Sequence, residues 1–304
     1  MFIRPATFLL SYFLLFALVP TALAQQSADP HFDARVEKPA FTKNFPRVLF
    51  DEAHNNSETT NNRYKPFADL LFNDGYHISV NRQPFTKSSL ATHKLLVIVN
   101  PLGAEDVDDA GADGPAFSPE ESAAVNDWVR GGGALLLIVD CAPFSSAAET
   151  LAKKLGVDMG KSETTDQANA DKEFNLPSTL VYSRENHLLG ESSITNGRSD
   201  AERVNRVVVF GAQSLKGPQG SDVLLKLADS AVEEIDGKNA STAGRAQGIA
   251  FRLGKGRVVV LGDAAMLSAQ VTGSDKRPVG MNVPNIDNRR LALNIMHWLS
   301  GILK

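Results

Sequence analysis

Two runs in the middle of the chain, residues 94–99 (KLLVIV) and 134–139 (ALLLIV), are apolar at nearly every position. A strand with one wet face alternates polar and apolar residues, so these two are covered on both faces, as strands of βαβ units are. The sequence between and around them fits that arrangement. Residues 64–73 place Phe67, Leu70 and Leu71 on one helical face before Gly75. Ser118-Pro119-Glu120-Glu121 supplies an N-cap, a first-turn proline and a capping-box glutamate for a helix that ends at Gly131-Gly132-Gly133. Residues 47–51 and 77–80 read as two further strands, and 144–155 as another helix. Strands and helices in alternation imply right-handed crossovers and an α/β fold with a mainly parallel, doubly wound sheet. Toward the C-terminus, 206–210 and 223–228 read as strands. Residues 248–253 and 257–261 read as a hairpin through Gly254-Lys255-Gly256, and Leu291, Ile295, Trp298, Leu299 and Ile302 stripe a closing helix.

The N-terminus has a different character. Arg4, an apolar run over 8–19, Pro20 and the tripeptide Ala22-Leu23-Ala24 have the layout of a secretory signal peptide, which predicts cleavage after Ala24 and a periplasmic or secreted protein. The run is shorter than the roughly 20 residues of a membrane span, and no later segment matches it, so no span is expected in the mature chain. Residues 25–44 lack any period and read as a flexible leader. Residues 45–304 read as one α/β domain, interrupted at about 161–205 by polar, Gly- and Asn-bearing sequence with little regular structure. With 31 basic and 35 acidic side chains the chain carries a formal charge of −4, which argues against a nucleic-acid surface. A single cysteine, Cys141, leaves no intramolecular disulfide.

In open parallel sheets ligands bind beyond the carboxyl ends of the strands, where loops and helix N-termini converge. Almost every strand here ends in a carboxylate or amide. Asp51, His54 and Asn55 follow the first, Asn100 the third, Asp140 and Cys141 the fourth, and Asp263 the last hairpin strand. Asn285, Asp287 and Asn288 precede the closing helix. Together Asp51, His54, Asn55, Asp140 and Asp263, joined by Asn285, Asp287 and Asn288, are expected to line one polar cup, with Arg63 or Arg289 available to offset its negative charge. Asp and Asn at such positions also cap helices and close Asx-turns, and that reading predicts separate, locally satisfied side chains.

The segments FDEAHNN, LLVIVNP, WVRGGGALLLIVDCAPF and GKGRVVVLGDAAM, with the C-terminal NIDNRRLALNIMHWLSG, resemble a group of uncharacterised exported bacterial proteins. Their domain is similar to the class I glutamine amidotransferase superfamily and to domains of gliding-motility, intraflagellar-transport and ThuA-like proteins. The resemblance covers most of residues 45–303 and implies a flavodoxin-like, amidotransferase-like fold; it attaches no activity. It places Cys141 where the amidotransferase nucleophile would stand. A nucleophile elbow wants small residues two before and two after, whereas this chain has Val139 and Pro143. The family's His-x-Glu pair is also missing, since Asp263-Ala264-Ala265-Met266 occupies its place and His297 lies inside the closing helix.

These readings lead to a non-catalytic binding module of the cell envelope, without glutaminase activity, whose partner is a small polar ligand or an envelope protein. No cofactor is expected, although a cup of carboxylates could take a divalent cation. The alternative is a hydrolase using Asp51, Asp140 and Asp263, with or without a metal. It requires a general base within hydrogen-bond reach of a reactive centre.

Overall fold

The computed structural model describes residues 26–304. Its main sheet holds β1 (Arg47–Asp51), β2 (His77–Asn81), β3 (Leu95–Val99), β4 (Ala134–Ile138), β5 (Asp158–Met159), β6 (Leu215–Lys216), β7 (Asp222–Lys226), β8 (Ala246–Leu253) and β9 (Gly256–Leu261). Their order is β2-β1-β3-β4-β9-β8-β6-β5, with β7 also paired to β8. The first five of these are mutually parallel; β8 turns antiparallel to β9, and β6, β7 and β5 continue the antiparallel side. The fold is α/β with a large, mainly parallel sheet, as the all-apolar strands predict.

The reason those strands lack polar alternation is visible in the core. Val97, Val99, Leu136 and Ile138 point to one face, and Leu96, Ile98, Leu135 and Leu137 to the other, each set in its own apolar cluster. On the first face lie Phe67, Leu70 and Leu71 of α1 (Lys65–Asn73). On the second lie Val125 and Val129 of α2 (Pro119–Arg130) and Leu151 and Leu155 of the helix Glu149–Leu155. The closing helix Asn288–Ser300 returns to the first face through Leu291, Ile295 and Leu299. Among the described residues, no helix is long and apolar enough to cross a membrane.

Two segments expected to be irregular are ordered. Residues 26–44 form a strap: Ser27–Ala28 pairs antiparallel with the strand Ala269–Thr272, and Phe32, Ala34, Val36 and Phe41 pack on the core. Scattered apolar residues, spaced for a surface-hugging extended chain rather than for a helix or strand, hold it down. Gly75 completes the fit, because a Cβ there would stand 2.0 Å from the Phe41 carbonyl oxygen. The stretch 161–205, expected to be loose, carries the strands Thr164–Thr165 and Thr179–Ser183 and the helix Ser193–Asn196. Thr179–Ser183 pairs with Arg206–Phe210, and Leu180, Tyr182, Leu188 and Ile194 enter the core. The expected single helix over 144–155 is broken after Ala147 into two.

Candidate functional site

The loop after β1 divides the predicted site in two. Asp51 accepts from Asn81 Nδ2 at 2.9 Å and faces His54 Nδ1 at 2.8 Å. The other ring nitrogen, Nε2, meets Glu121 Oε1 at 2.9 Å, and the ring lies between Phe85 and Phe117 at centroid distances of 4.7 and 4.6 Å. Burial pulls the imidazole pKa down, but the two carboxylates outweigh it and leave His54 above its ordinary 6.5. With both nitrogens occupied, His54 ties β1 to the start of α2 and has no lone pair to offer a substrate.

The next four residues turn to a different place. Asn55, held at φ +49°, Asn56, Ser57 and Glu58 line a cleft of about 600 Å³ with Arg63, Asn100, Leu102, Asp140, Ala264 and Gln270. Gln26 of the strap and Glu105, Asp106 and Val107 complete its rim. The cleft lies where β1 and β3 run side by side at the centre of a 2-1-3-4 parallel order, the switch point at which flavodoxin-like sheets bind ligands. Asn100, at φ +43°, and Asp140 lock reciprocally: Asn100 Nδ2 donates to Asp140 Oδ2 at 2.7 Å, and Asp140 N donates to Asn100 Oδ1 at 2.8 Å. Asp140 Oδ1 accepts from Ala264 N at 2.6 Å. Burial raises the Asp140 pKa above its usual range against these bonds. Glu58, 4 % exposed, pairs with Arg63, yet burial pushes its carboxyl up to about 7.

The remaining predicted residues lie elsewhere. Asp263 is buried and accepts from Phe210 N and Ala265 N, each at 2.7 Å; burial, then the charge of Asp140, raises its pKa. Cys141 does not line the cleft. Its thiol faces the Gly211 carbonyl at 3.9 Å, and burial followed by the charges of Asp140, Glu163, Glu233 and Asp263 pushes it up to about 12, the reverse of an activated nucleophile. Asp287 accepts from Asn205 N and Arg206 N and from the Arg290 guanidinium. Asn288 bonds Val208 through both its N–H and its carbonyl. These two fasten the closing helix to the strand Arg206–Phe210, and Asn285 is an exposed turn residue at φ +59°. Of the eight residues expected in one cup, therefore, Asn55 and Asp140 share the cleft and the other six do not. Among the described residues no group of three or more His, Cys, Asp or Glu side chains is placed to hold a metal ion.

Sequence reasoning did not single out Ser57, Glu58 and Gln270, and it considered Arg63 only as a counter-charge. The run NNSETTNNR directly after β1 carries the signal for the first two. Gln270 carries none, because it comes from an antiparallel strand outside the main sheet.

No family model and no curated protein matches the sequence. Solved structures do match. The mmIFT52 N-terminal domain superposes with a TM-score of 0.59 at 15 % identity, covering 84 % of this chain and 97 % of that one. The two share a fold. A cytoplasmic protein of Salmonella typhimurium gives 0.48 at 13 % identity over 84 % and 99 % of the two chains. A ThuA-like protein of Bacteroides uniformis gives 0.42 at 12 % identity over 90 % and 95 %. The first match agrees at the level of fold with the intraflagellar-transport resemblance read from the sequence.

Proposed function

We propose that this protein is a binding module of the cell envelope that holds a small polar ligand in the cleft between the ends of β1, β3 and β4. The observation that carries the reading is the cleft itself. Its wall is made of amides, a hydroxyl, an Arg–Glu pair and the braced Asp140, all delivered to one ligand-sized space. Pockets of this size with a few fixed polar groups are where small ligands bind. Envelope placement rests on the pattern over residues 4–24, which lies outside the described residues; N-terminal sequencing of the purified protein should begin at Gln25.

The groups that would make an enzyme of it are engaged in other work. His54 is held at both nitrogens, Asp51 and Asp263 are bonded within the fold, and the Cys141 thiol stays protonated. One observation favours the competing hydrolase reading. Glu58, pushed up to about 7, and Asp140 share the cleft, and a carboxyl near neutrality is what general-acid chemistry uses. The test compares the protein with Val107→Trp, a substitution at an exposed rim position. Stabilisation by members of a small polar metabolite set, lost in Val107→Trp, is the expected outcome. Turnover of ester, phosphate or glycoside substrates that disappears in Asp140→Asn would replace the binding module with the hydrolase.

A further inference from the structure

The unspent hydrogen-bonding capacity of the cleft is lopsided. Gln270 is 3 % exposed and lines it. The orientation of its amide is fixed by a relay: Ser268 Oγ donates its proton to the Ala265 carbonyl at 2.7 Å, so that oxygen must accept from Gln270 Nε2, also at 2.7 Å. Gln270 Oε1 is left without a partner; Ser57 Oγ on the same cleft is also unpartnered, but it can donate as well as accept. A buried acceptor in that condition carries a desolvation cost that a ligand donor removes. The charges lean the same way. Four carboxylates, Glu58, Glu105, Asp106 and Asp140, face the cleft against the single guanidinium of Arg63, which is already paired with Glu58.

We propose that the cleft takes a small ligand bearing a protonated amine, whose N–H groups donate to Gln270 Oε1 and to the lining carboxylates. The proposal rests on the binding-module reading and names the ligand chemistry of the same site. A neutral polyol would satisfy the orphaned oxygens but leave the negative field unmet, and an anion would oppose it. Among the described residues no three His, Cys, Asp or Glu side chains are grouped as a bare divalent cation needs. An ammonium group answers both needs, since each carboxylate oxygen keeps a lone pair for a further donor.

A consequence follows for pH. Glu58 sits among Arg63, Asp140 and the buried Tyr64 phenol, with burial the dominant influence, and titrates at about 7. A neighbouring ammonium favours its carboxylate form. Binding therefore releases a proton and strengthens as pH rises from 6 to 8, by at most about tenfold.

The experiment is isothermal titration of the purified protein with a matched four-carbon series, putrescine, butanediol and succinate, and with glucose, at pH 6 and pH 8. Putrescine should bind at least about tenfold more tightly than the others, a margin of about 1.4 kcal/mol, and more tightly at pH 8. Gln270→Leu should weaken it, and Glu58→Gln should remove the pH dependence, with thermal melts confirming that both variants fold. Butanediol or glucose binding as well as putrescine would overturn the amine and leave the polar-ligand cleft standing. Putrescine binding unchanged in both variants would place the amine outside the cleft and overturn the proposal. No binding by any probe, joined with no stabilisation by the metabolite set, would overturn both.

Discussion

Two residues that chemistry would nominate first are His54, bonded at both ring nitrogens, and Cys141, whose thiol burial keeps protonated, and each makes a measurable claim. His54 is clamped between Asp51 and Glu121 with its side chain almost wholly buried. Removing one member of a buried ionic group strands the rest, so His54→Ala should cost about 3 kcal/mol in urea unfolding. The pH dependence has a definite sign. The folded pKa is raised, so the stabilisation is complete below about 6.5 and disappears as pH climbs through the folded value. A His54→Ala variant whose stability follows pH as steeply as the parent would show that the clamp is not ionic. Cys141, its thiol pushed up to about 12 by burial, should be ionised far less at pH 8 than an ordinary cysteine. Iodoacetamide should label the native protein orders of magnitude more slowly than the urea-unfolded chain. Ligand stabilisation in Cys141→Ala should match the parent.

At the scale of elements, one glutamate does double duty. Glu121 completes the capping box of α2, with Oε2 accepting from Ser118 N, while Oε1 receives Phe85 N at 2.9 Å and faces His54. Ser118→Ala should cost about 1 kcal/mol, the usual worth of an N-cap. Glu121→Ala should cost distinctly more, because it also orphans Phe85 N and one face of His54; equal losses for the two variants in chemical unfolding would refute that. The capping box was legible because it is local: Ser118 and Glu121 are three residues apart and announce a helix start by themselves. The apolar parallel strands and the hairpin of β8 and β9 were legible for the same reason, each carrying a local signal: an unbroken apolar run, or two runs joined through a Gly-rich turn. Elements that depend on distant partners were not. Thr164–Thr165, β5 and β6 are two-residue strands that exist only because another strand lies alongside, and no two residues can display a period. The candidate site divides likewise. Position after a strand shows that Asp51, Asn55, Asp140 and Asp263 gather at the carboxyl edge, but not which side of its loop each side chain takes. Asn55 turns to the cleft while His54, one residue earlier, turns to α2; the local-turn reading holds for Asp263 through Ala265 N, whereas Asp287 makes no cap bond and instead accepts from the distant Asn205 N and Arg206 N.

At the scale of the whole molecule, three buried carboxyls, Glu58, Asp140 and Asp263, push stability in a common direction with pH. Glu58 rises from 4.5 to about 7 in the folded protein, and burial also raises Asp140 and Asp263 from 3.8. A carboxyl with a raised folded pKa holds its proton longer in the native state, so stability declines as pH rises from the unfolded value through the folded one. For Glu58 that loss is on the order of 3 kcal/mol between pH 4.5 and 7, and His54 adds a decline above 6.5. Glu121 opposes them only at the acid end, since its pKa is lowered from 4.5 and its contribution disappears as pH falls below that value. The stability maximum should therefore lie below pH 5, with a fall of several kcal/mol by pH 8 in urea unfolding. Glu58→Gln should flatten that slope between pH 5 and 7 whatever it does to the absolute stability, because glutamine does not titrate. A protein more stable at pH 8 than at pH 5.5 would mean that these carboxyls are ionised without penalty in the native state. A protonated amine in the cleft should restore most at alkaline pH what burial of Glu58 and Asp140 takes away, so putrescine should raise the melting temperature more at pH 8 than at pH 6.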